Sequence, residues 1–307
     1  MSSKSNFPYT PFSYDEYTHI LQQLLDNLPI LDYTEINYET DSFCIIRHDV
    51  EFSLERALKL AIIEHEMDIK ASYFIQLNNS TYNAISHESL SIIKKIIELG
   101  HKIGIHFSPS NSDVDLVKQE FYFFRDVFEN RLNTTIDRFS FHRPNLNPQL
   151  LQNNIKIDGV VNAYSDLYFE YFDDNVPKNP SIKYISDSNH QWKYGHPLDV
   201  IEDGCKKVHI LIHPFSWSRL GGDNLANYRS LLEEKNDSLM ISINSEISNF
   251  PIDEIMKNKD IWVLEIQLWK IIPSSPCPEL NIFSRVANPI LTGYCLLYTS
   301  DAADESR

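Results

Sequence analysis

The amino-acid sequence predicts an α/β protein in which about seven parallel strands form a distorted (β/α) barrel. Two observations lead to this prediction. Short segments rich in β-branched and aromatic residues alternate along the chain with amphipathic helical patterns, which is typical of βαβ units and a parallel sheet. Several of these short segments also end directly in histidine, aspartate or arginine, and the carboxyl ends of parallel strands lie together at one end of a barrel.

The first predicted strand is the apolar run at residues 43–46, which we expect to end at Arg47, where charged residues begin. Five residues then recur with the spacing of one buried helix face: Leu54, Ala57, Leu58, Ala61 and Ile62. Ser53 is placed to cap this helix at its N-terminus. Residues 17–28 predict an earlier amphipathic helix, whose pattern ends at Pro29.

Six further strands are predicted from runs of apolar and β-forming residues. They are residues 69–76, 101–107, 137–141, 159–163, 182–185 and 208–212. A helix over residues 90–97 is predicted to end before Gly100, the usual residue after a helix C-terminus. A second helix carries aromatic residues on its buried face from Val117 to Phe128, and a third is predicted over residues 225–234.

Composition limits the classes of partner. The chain has 307 residues, 42% hydrophobic and 23% charged, which suits one large α/β domain or a domain with an appendage. Its net charge of -16 repels nucleic acid and anionic membranes, so we expect neither as a partner. No apolar run reaches the roughly 18 residues of a membrane span. The polar start lacks the pattern of a signal peptide, so we expect a cytoplasmic protein.

The sequence predicts three regions. Residues 1–239 form the barrel, residues 240–294 form a C-terminal extension, and residues 295–307 break from the composition of the rest. The last region resembles the translation of a transposon-type sequencing adapter, so we exclude it from the fold and expect the extension to be truncated. Four cysteines without Cys-x-x-Cys spacing argue against a disulfide framework or a thiolate zinc site.

Polar side chains follow most of the predicted strands. They are Asp49 and Glu51, His106, His142 and Arg143, Asp187 and His213. A lone histidine at a strand end is more often structural, and a solvated loop with an Arg–Asp pair is the alternative interpretation of the first group. Several such groups at one barrel mouth are a rarer pattern, and imidazole with carboxylate suits a divalent transition metal with an open position.

At these residues the chain resembles the polysaccharide deacetylase family, carbohydrate esterase family 4. The likeness covers about residues 43–217 and rests on Arg-His-Asp-Val-Glu at 47–51, Gly-His-x-Ile-Gly-x-His at 100–106, and His-Pro at 213–214. It is nearest to the branch that opens with Arg-His-Asp-Val-Asp, found in clusters for surface-polysaccharide biosynthesis. The resemblance implies a metal-dependent hydrolase, zinc being the expected metal, that removes acetyl groups from N-acetylated sugars or glycan precursors.

The resemblance also implies roles for individual residues. Asp49 matches the catalytic base, Arg143 the arginine that orients it, and His213 the general acid. Glu51 stands where the family has a metal-binding aspartate, and His106 matches the first metal-binding histidine. His101 lies in the part of the motif that is usually structural, so we leave it out of the site.

Two departures from the family pattern affect the metal site. Glu51 is one methylene longer than the expected aspartate. Ser110 stands where a second metal-binding histidine is expected, four residues after His106. Three residues are candidates to replace it: His142, His48 and Asn111. We take Glu51, His106 and His142 as the metal ligands.

For the substrate, the candidates are Trp192, Trp217, Tyr164 and Asp187, with the aromatic rings forming a face on which sugars stack. The alternative is that these aromatic residues belong to the core. Two other functions stay open. One is a catalytically degenerate barrel that binds carbohydrate or a partner protein, which Ser110 favours. The other is a metal-dependent amidohydrolase acting on a different small substrate.

Overall fold

Seven parallel strands form one sheet in this computed structural model, which describes residues 8–169, 172–173, 176–177 and 181–257. The strands are β1 (Phe43–Val50), β2 (Ser72–Ile75), β3 (Lys102–Phe107), β4 (Arg138–Phe141), β5 (Val161–Asn162), β8 (Ile182–Ser186) and β9 (Lys207–Ile212). Their order is β5-β4-β3-β2-β1-β9-β8. A separate antiparallel pair, β6 (Phe172–Asp173) and β7 (Val176–Pro177), falls between β5 and β8 in the chain. The predicted parallel architecture is confirmed.

Helices precede, connect and follow the strands. They are α1 (Tyr14–Asn27), α2 (Leu54–Glu66), α3 (His87–Glu98), α4 (Val114–Leu132), α5 (Gln149–Gln152), α6 (Pro197–Glu202), α7 (Asn224–Glu246) and α8 (Ile252–Lys257). The Ser53 side chain accepts a hydrogen bond from the backbone N–H of Arg56, which confirms the predicted cap of α2. Gly100 follows α3 with a φ of +95°, a conformation that favours glycine. Among the described residues, no helix combines the length and apolarity needed to cross a membrane.

The chain divides into two compact units, Met1–Asp237 and Ser238–Arg307. The first contains the sheet and helices α1 to α6. Of the second, the structure describes the end of α7 and helix α8. Most of the predicted extension at 240–294, and all of the tail at 295–307, lie outside the described residues, so the predicted three regions stay a prediction.

Strand β1 corrects one expectation. It does not end at Arg47 but continues to Val50, and every residue in it is buried. The charged residues therefore lie inside the strand, where successive side chains point to opposite faces. Arg47 and Asp49 share the face that leads to Tyr164, while His48 points to the other face, towards α2.

A buried polar network fills the space between β1 and α2. Glu64 accepts hydrogen bonds from the hydroxyls of Tyr17 and Tyr73, both at 2.5 Å, and lies 2.6 Å from Nε2 of His48. His101 lies 3.6 Å from the same carboxylate, and its ring also contacts the backbone of Ala61. This network accounts for His101 as a structural residue and takes His48 away from the barrel mouth.

The sheet is open between its two edge strands, β5 and β8, which do not pair with each other among the described residues. Aromatic side chains span the gap instead. The ring of Phe169 lies 4.9 Å from that of Tyr164, after β5, and 4.8 Å from that of Tyr184, in β8. The barrel is therefore distorted, with side-chain packing where a closed barrel has strand pairing.

The interior of the sheet leaves no room for a side chain at Gly104 of β3. A Cβ atom there would lie 2.5 Å from the ring of Phe74 and 2.7 Å from Arg138. Arg138 is fully buried, and its guanidinium bonds the hydroxyl of Ser72 at 2.6 Å and the carboxylate of Asp32. Glycine at position 104 thus leaves space for the buried side chain of Arg138.

Candidate metal centre

Three histidines surround the carboxylate of Glu51 at the carboxyl end of the sheet. Oε1 of Glu51 lies 3.4 Å from Nε2 of His142, 3.9 Å from Nε2 of His106 and 3.9 Å from Nε2 of His213. Burial tends to raise the pKa of Glu51, but the surrounding histidines hold it well below its usual range. One ligand atom from each of Glu51, His106 and His142 fits within 4.8 Å, a group suited to a metal ion.

The Nε2 atom of His106 is a buried polar atom without a hydrogen-bond partner among the described contacts. It faces the carboxylates of Glu51 and Asp49, the latter at 3.7 Å. The other ring nitrogen, Nδ1, lies 2.7 Å from the hydroxyl of Ser140. A buried nitrogen with no partner, aimed at two carboxylates, fits a metal ligand, because leaving it unpaired is costly. The donor set therefore suits a divalent cation.

Asp49 is held by Arg47, two residues earlier on the same strand. The guanidinium donates from Nε to Oδ1 at 2.8 Å and from Nη2 to Oδ2 at 2.7 Å, and both side chains are buried. Nη2 also donates to the hydroxyl of Tyr164 at 2.8 Å. Burial would raise the pKa of Asp49, but the charge of Arg47 lowers it, so Asp49 remains a carboxylate.

This arrangement corrects the expected role of Arg143. That residue is exposed, has a left-handed backbone with φ of 51°, and makes no ion pair with Asp49 among the described contacts. The orienting arginine of Asp49 is Arg47, which fills the space on the barrel side of β1. The sequence offered an Arg–Asp pair at this position only within the alternative interpretation, a solvated loop.

His213 is paired with the fully buried carboxylate of Asp187. Oδ1 of Asp187 lies 2.6 Å from Nδ1 of His213, and the backbone N–H of His213 donates to both carboxylate oxygens. The indole of Trp217 donates to Oδ2 at 2.8 Å. Burial tends to lower the pKa of His213, but Asp187 raises it to about 9, so the imidazole is protonated near neutral pH.

Three of the predicted substrate residues have other positions than expected. Trp217 is fully buried and Asp187 is 0% exposed, so both support His213 and neither is available to stack on or bind a ligand in this structure. Tyr164 is 8% exposed and bonds Arg47 through its hydroxyl. Trp192 is partly buried, with its ring 6.2 Å from that of Phe12, and its predicted contact with substrate stays a prediction.

The three candidates to replace the histidine expected at position 110 lie in different parts of the structure. His142 reaches the cluster from the end of β4, whereas His48 is bound to Glu64 on the other face of β1. The side chain of Asn111 accepts a hydrogen bond from Asp113 within its own loop. Ser110 donates to Glu120 through both its backbone N–H and its hydroxyl. Among the three candidates, the structure brings His142 alone to Glu51 and His106.

Sequence analysis missed two serines that contact the histidines. Ser140 bonds His106, and the hydroxyl of Ser108 lies 3.3 Å from Nδ1 of His142. The pattern that identifies them is the spacing His-x-Ser at the end of one strand and Ser-x-His at the end of the next. Neither spacing is specific by itself, since serine is common in strands and loops.

No family model matches the chain, and no curated protein matches it. The chain is similar to solved structures of family 4 carbohydrate esterases.

An acetyl xylan esterase from Clostridium thermocellum, solved with a cobalt ion, is 16% identical over 55% of this chain and 74% of its own, with a TM-score of 0.34. A family 4 pseudoenzyme from Bacillus anthracis is 12% identical over 66% of this chain and 63% of its own, with a TM-score of 0.36. The catalytic domain of a peptidoglycan N-acetylglucosamine deacetylase from Eubacterium rectale is 10% identical over 66% of this chain and 88% of its own, with a TM-score of 0.35. The fold assignment itself rests on the strand order and register of this chain.

Proposed function

We propose that this protein is a metal-dependent hydrolase that removes an acetyl group from an N-acetylated sugar or a glycan precursor. One observation carries the proposal. At a single end of the sheet, a Glu–His–His cluster lies beside Asp49, a carboxylate held by an arginine, and His213, a histidine held by a carboxylate. These are the groups that amide hydrolysis needs: a base for water, an acid for the leaving amine and a site for a Lewis acid.

The cation would be held by Glu51, His106 and His142, and the mixture of imidazole and carboxylate favours zinc. When bound, it supplies Lewis acidity for the amide carbonyl and for water. One ligand atom from each of these three residues lies within 4.8 Å of the other two.

Asp49 acts as the general base in this proposal. Its Oδ2 lies on the side of the cluster, 3.7 Å from Nε2 of His106, so it faces the space that a water molecule and the acetyl group would share. Arg47 fixes the direction of the carboxylate and keeps it ionised. The base takes the proton from water as the oxygen attacks the carbonyl carbon.

His213 acts as the general acid. Because Asp187 accepts the proton on Nδ1, the proton on Nε2 remains for donation and points towards Glu51 and the cluster. When the C–N bond breaks, that proton passes to the amine of the sugar, and the products are acetate and the free amino sugar. The raised pKa of His213, about 9, keeps the acid loaded near neutral pH.

The test is to measure bound metal in the purified protein together with acetate release from a panel of N-acetylated sugars, nucleotide-linked sugars and glycan fragments. We expect about one divalent ion per chain and metal-dependent acetate release. His106→Ala is expected to abolish both. The matched control is His87→Ala, which removes an exposed histidine at the start of α3.

A second candidate is a degenerate barrel that binds a carbohydrate or a partner protein without hydrolysis. The observation that favours it is the loop after β3, where Ser110 bonds Glu120 and supplies no ligand. If the wild-type protein binds no divalent metal at micromolar concentration, the hydrolase proposal fails and this candidate replaces it.

A further inference from the structure

Strands β3 and β4 carry a reciprocal pair of histidines and serines. His106 and Ser108 lie two residues apart at the end of β3, and Ser140 and His142 lie two residues apart at the end of β4. In the parallel register, His106 is beside Ser140. The two strands stay paired just beyond these residues, since the backbone N–H of His142 donates to the carbonyl of Phe107 at 2.8 Å. Each histidine is thus beside the serine of the neighbouring strand.

Contacts around Ser140 define which nitrogen of His106 carries the proton. The hydroxyl of Ser140 donates to Oδ1 of Asp49 at 3.3 Å, because a carboxylate held by Arg47 only accepts. The same hydroxyl oxygen lies 2.7 Å from Nδ1 of His106, so it accepts the proton that Nδ1 carries. Nε2 then presents a lone pair to the cluster, and it is the buried atom that has no other partner. The opposite tautomer would leave a buried N–H without an acceptor.

Contacts around Ser108 repeat this arrangement for His142. The hydroxyl of Ser108 donates to the carbonyl oxygen of His142 at 3.0 Å, which uses its only proton. Its oxygen therefore accepts from Nδ1 of His142, at 3.3 Å. Nε2 of His142 points to Oε1 of Glu51, at 3.4 Å. Both histidines thus turn the same nitrogen towards the same carboxylate.

We infer that Ser108 and Ser140 are positioning residues that select the Nδ1–H tautomer of the two histidines and aim both Nε2 atoms at one cation, so that His142 replaces the histidine absent at position 110. This inference deepens the proposed function and rests on it. Partners of this kind fix ring orientation and raise ligand basicity in metal sites. The replacement ligand comes from the adjacent strand instead of from the loop after β3.

The first experiment measures affinity for Zn²⁺ and Co²⁺ by competition with a chelating dye. Ser140→Ala is expected to weaken binding about 10- to 100-fold, because loss of such a partner typically has this effect. Ser108→Ala is expected to weaken it less, since Ser108 is exposed and its bond is longer. Ser108→Thr keeps the hydroxyl and is expected to restore affinity. The control is Ser89→Ala, which removes a buried serine of α3 away from the cluster.

The second experiment reads the tautomers directly by NMR of ¹⁵N-labelled imidazoles at pH 8. In the metal-free wild-type protein, His106 is expected to be Nδ1–H with an unprotonated Nε2. In the Zn²⁺-loaded protein, His106 and His142 are both expected to be Nδ1–H with Nε2 ligated. This readout needs no substrate and no variant that must fold.

The outcomes separate the two proposals. A wild-type protein that binds Zn²⁺, with affinity unchanged in Ser140→Ala and Ser108→Ala, overturns the inference alone. An Nε2–H tautomer for His106 overturns it as well. Tight binding with the expected tautomers but no acetate release supports the inference and contradicts the hydrolase. A wild-type protein that binds neither cation overturns both.

Discussion

At the scale of single residues, the ion pair between Arg47 and Asp49 is the contact on which the site depends most. Both side chains are buried, the pair is bidentate, and Tyr164 occupies the remaining direction of Nη2. The guanidinium also lies 4.4 Å from the centre of the Tyr164 ring, which adds a cation–π contact. A buried charge that loses its partner is strongly destabilising, so this pair joins stability to the ionisation of the base.

We therefore expect Arg47→Met to lower the free energy of unfolding by about 3–5 kcal/mol, because it leaves the carboxylate of Asp49 buried without its partner. Arg143→Ala, at the exposed position that the sequence predicted instead, is expected to change stability by less than about 0.5 kcal/mol. Urea denaturation of both variants checks this. A larger loss for Arg143→Ala would restore that residue as the partner of Asp49.

The roles of base and ligand are separable by two substitutions. Asp49→Asn keeps the size of the side chain, so we expect metal to remain bound while acetate release falls about 10²–10⁴-fold. His106→Ala removes a proposed ligand and is expected to lose both metal and activity. Elemental analysis and acetate assays on the two variants make the comparison. Metal lost from Asp49→Asn and kept by His106→Ala would reverse the assignment.

At the scale of elements, the parity of β1 decides which polar groups reach the barrel mouth. Arg47 and Asp49 lie on the barrel side of the strand. His48, between them, lies on the side of α2, where its Nε2 is 2.6 Å from Oε1 of Glu64. The neighbouring strands approach closely enough that Gly104 of β3 has no space for a methyl group. Strand packing and site geometry therefore depend on the same few positions.

Gly104→Ala is expected to destabilise the protein by about 1–3 kcal/mol, since the added methyl would lie within van der Waals radii of Phe74 and Arg138. Gly204→Ala is the control. Its Cβ would meet nothing within 4 Å, and the cost comes from the backbone φ of +70° alone, about 1 kcal/mol. Equal losses in thermal or urea unfolding would show that the space around Gly104 relaxes.

At the scale of the whole molecule, buried ionisable groups couple stability to pH. His209 of β9 is fully buried, with Nδ1 at 2.8 Å from the carbonyl of Tyr168 and Nε2 at 3.0 Å from the hydroxyl of Tyr33. Burial, followed by the charge of Arg47, lowers the pKa of His209 from 6.5 to about 3. The folded protein therefore keeps this imidazole neutral at pH values where the unfolded chain protonates it.

The sign of the pH effect follows from this difference. Above pH 6.5 neither state binds the proton, and between 6.5 and about 3 only the unfolded state does, so stability falls as pH falls through this window. The contribution of His209 is at most about 1.4 kcal/mol per pH unit. We expect the free energy of unfolding of His209→Gln, measured with urea, to fall less steeply between pH 7 and pH 4 than that of the wild type. The control His87→Gln, at an exposed position, is expected to follow the wild type. The same pH dependence of the free energy of unfolding in all three proteins would contradict this role of His209.

Much of the fold was predictable from the sequence, because the patterns that specify its elements are local. The strand at 101–107 and the helix after Ser53 were predicted from hydrophobic spacing and a cap, and the structure confirms both with small shifts at their ends. The sequence also indicated that Asp49, His106 and His213 meet, since each lies at or near the end of a parallel strand, and the ends of parallel strands share one edge.

Only the tertiary structure decided which partner each group has. Arg47 rather than Arg143 binds Asp49, and Trp217 is buried with its indole bonded to Asp187 instead of lying at the surface. The physical reason is that a strand alternates its two faces at every residue, and a shift of one position reverses all of them. The parity of β1 and the register of β3 against β4 are set by contacts between segments far apart in the chain, so no local pattern contains them.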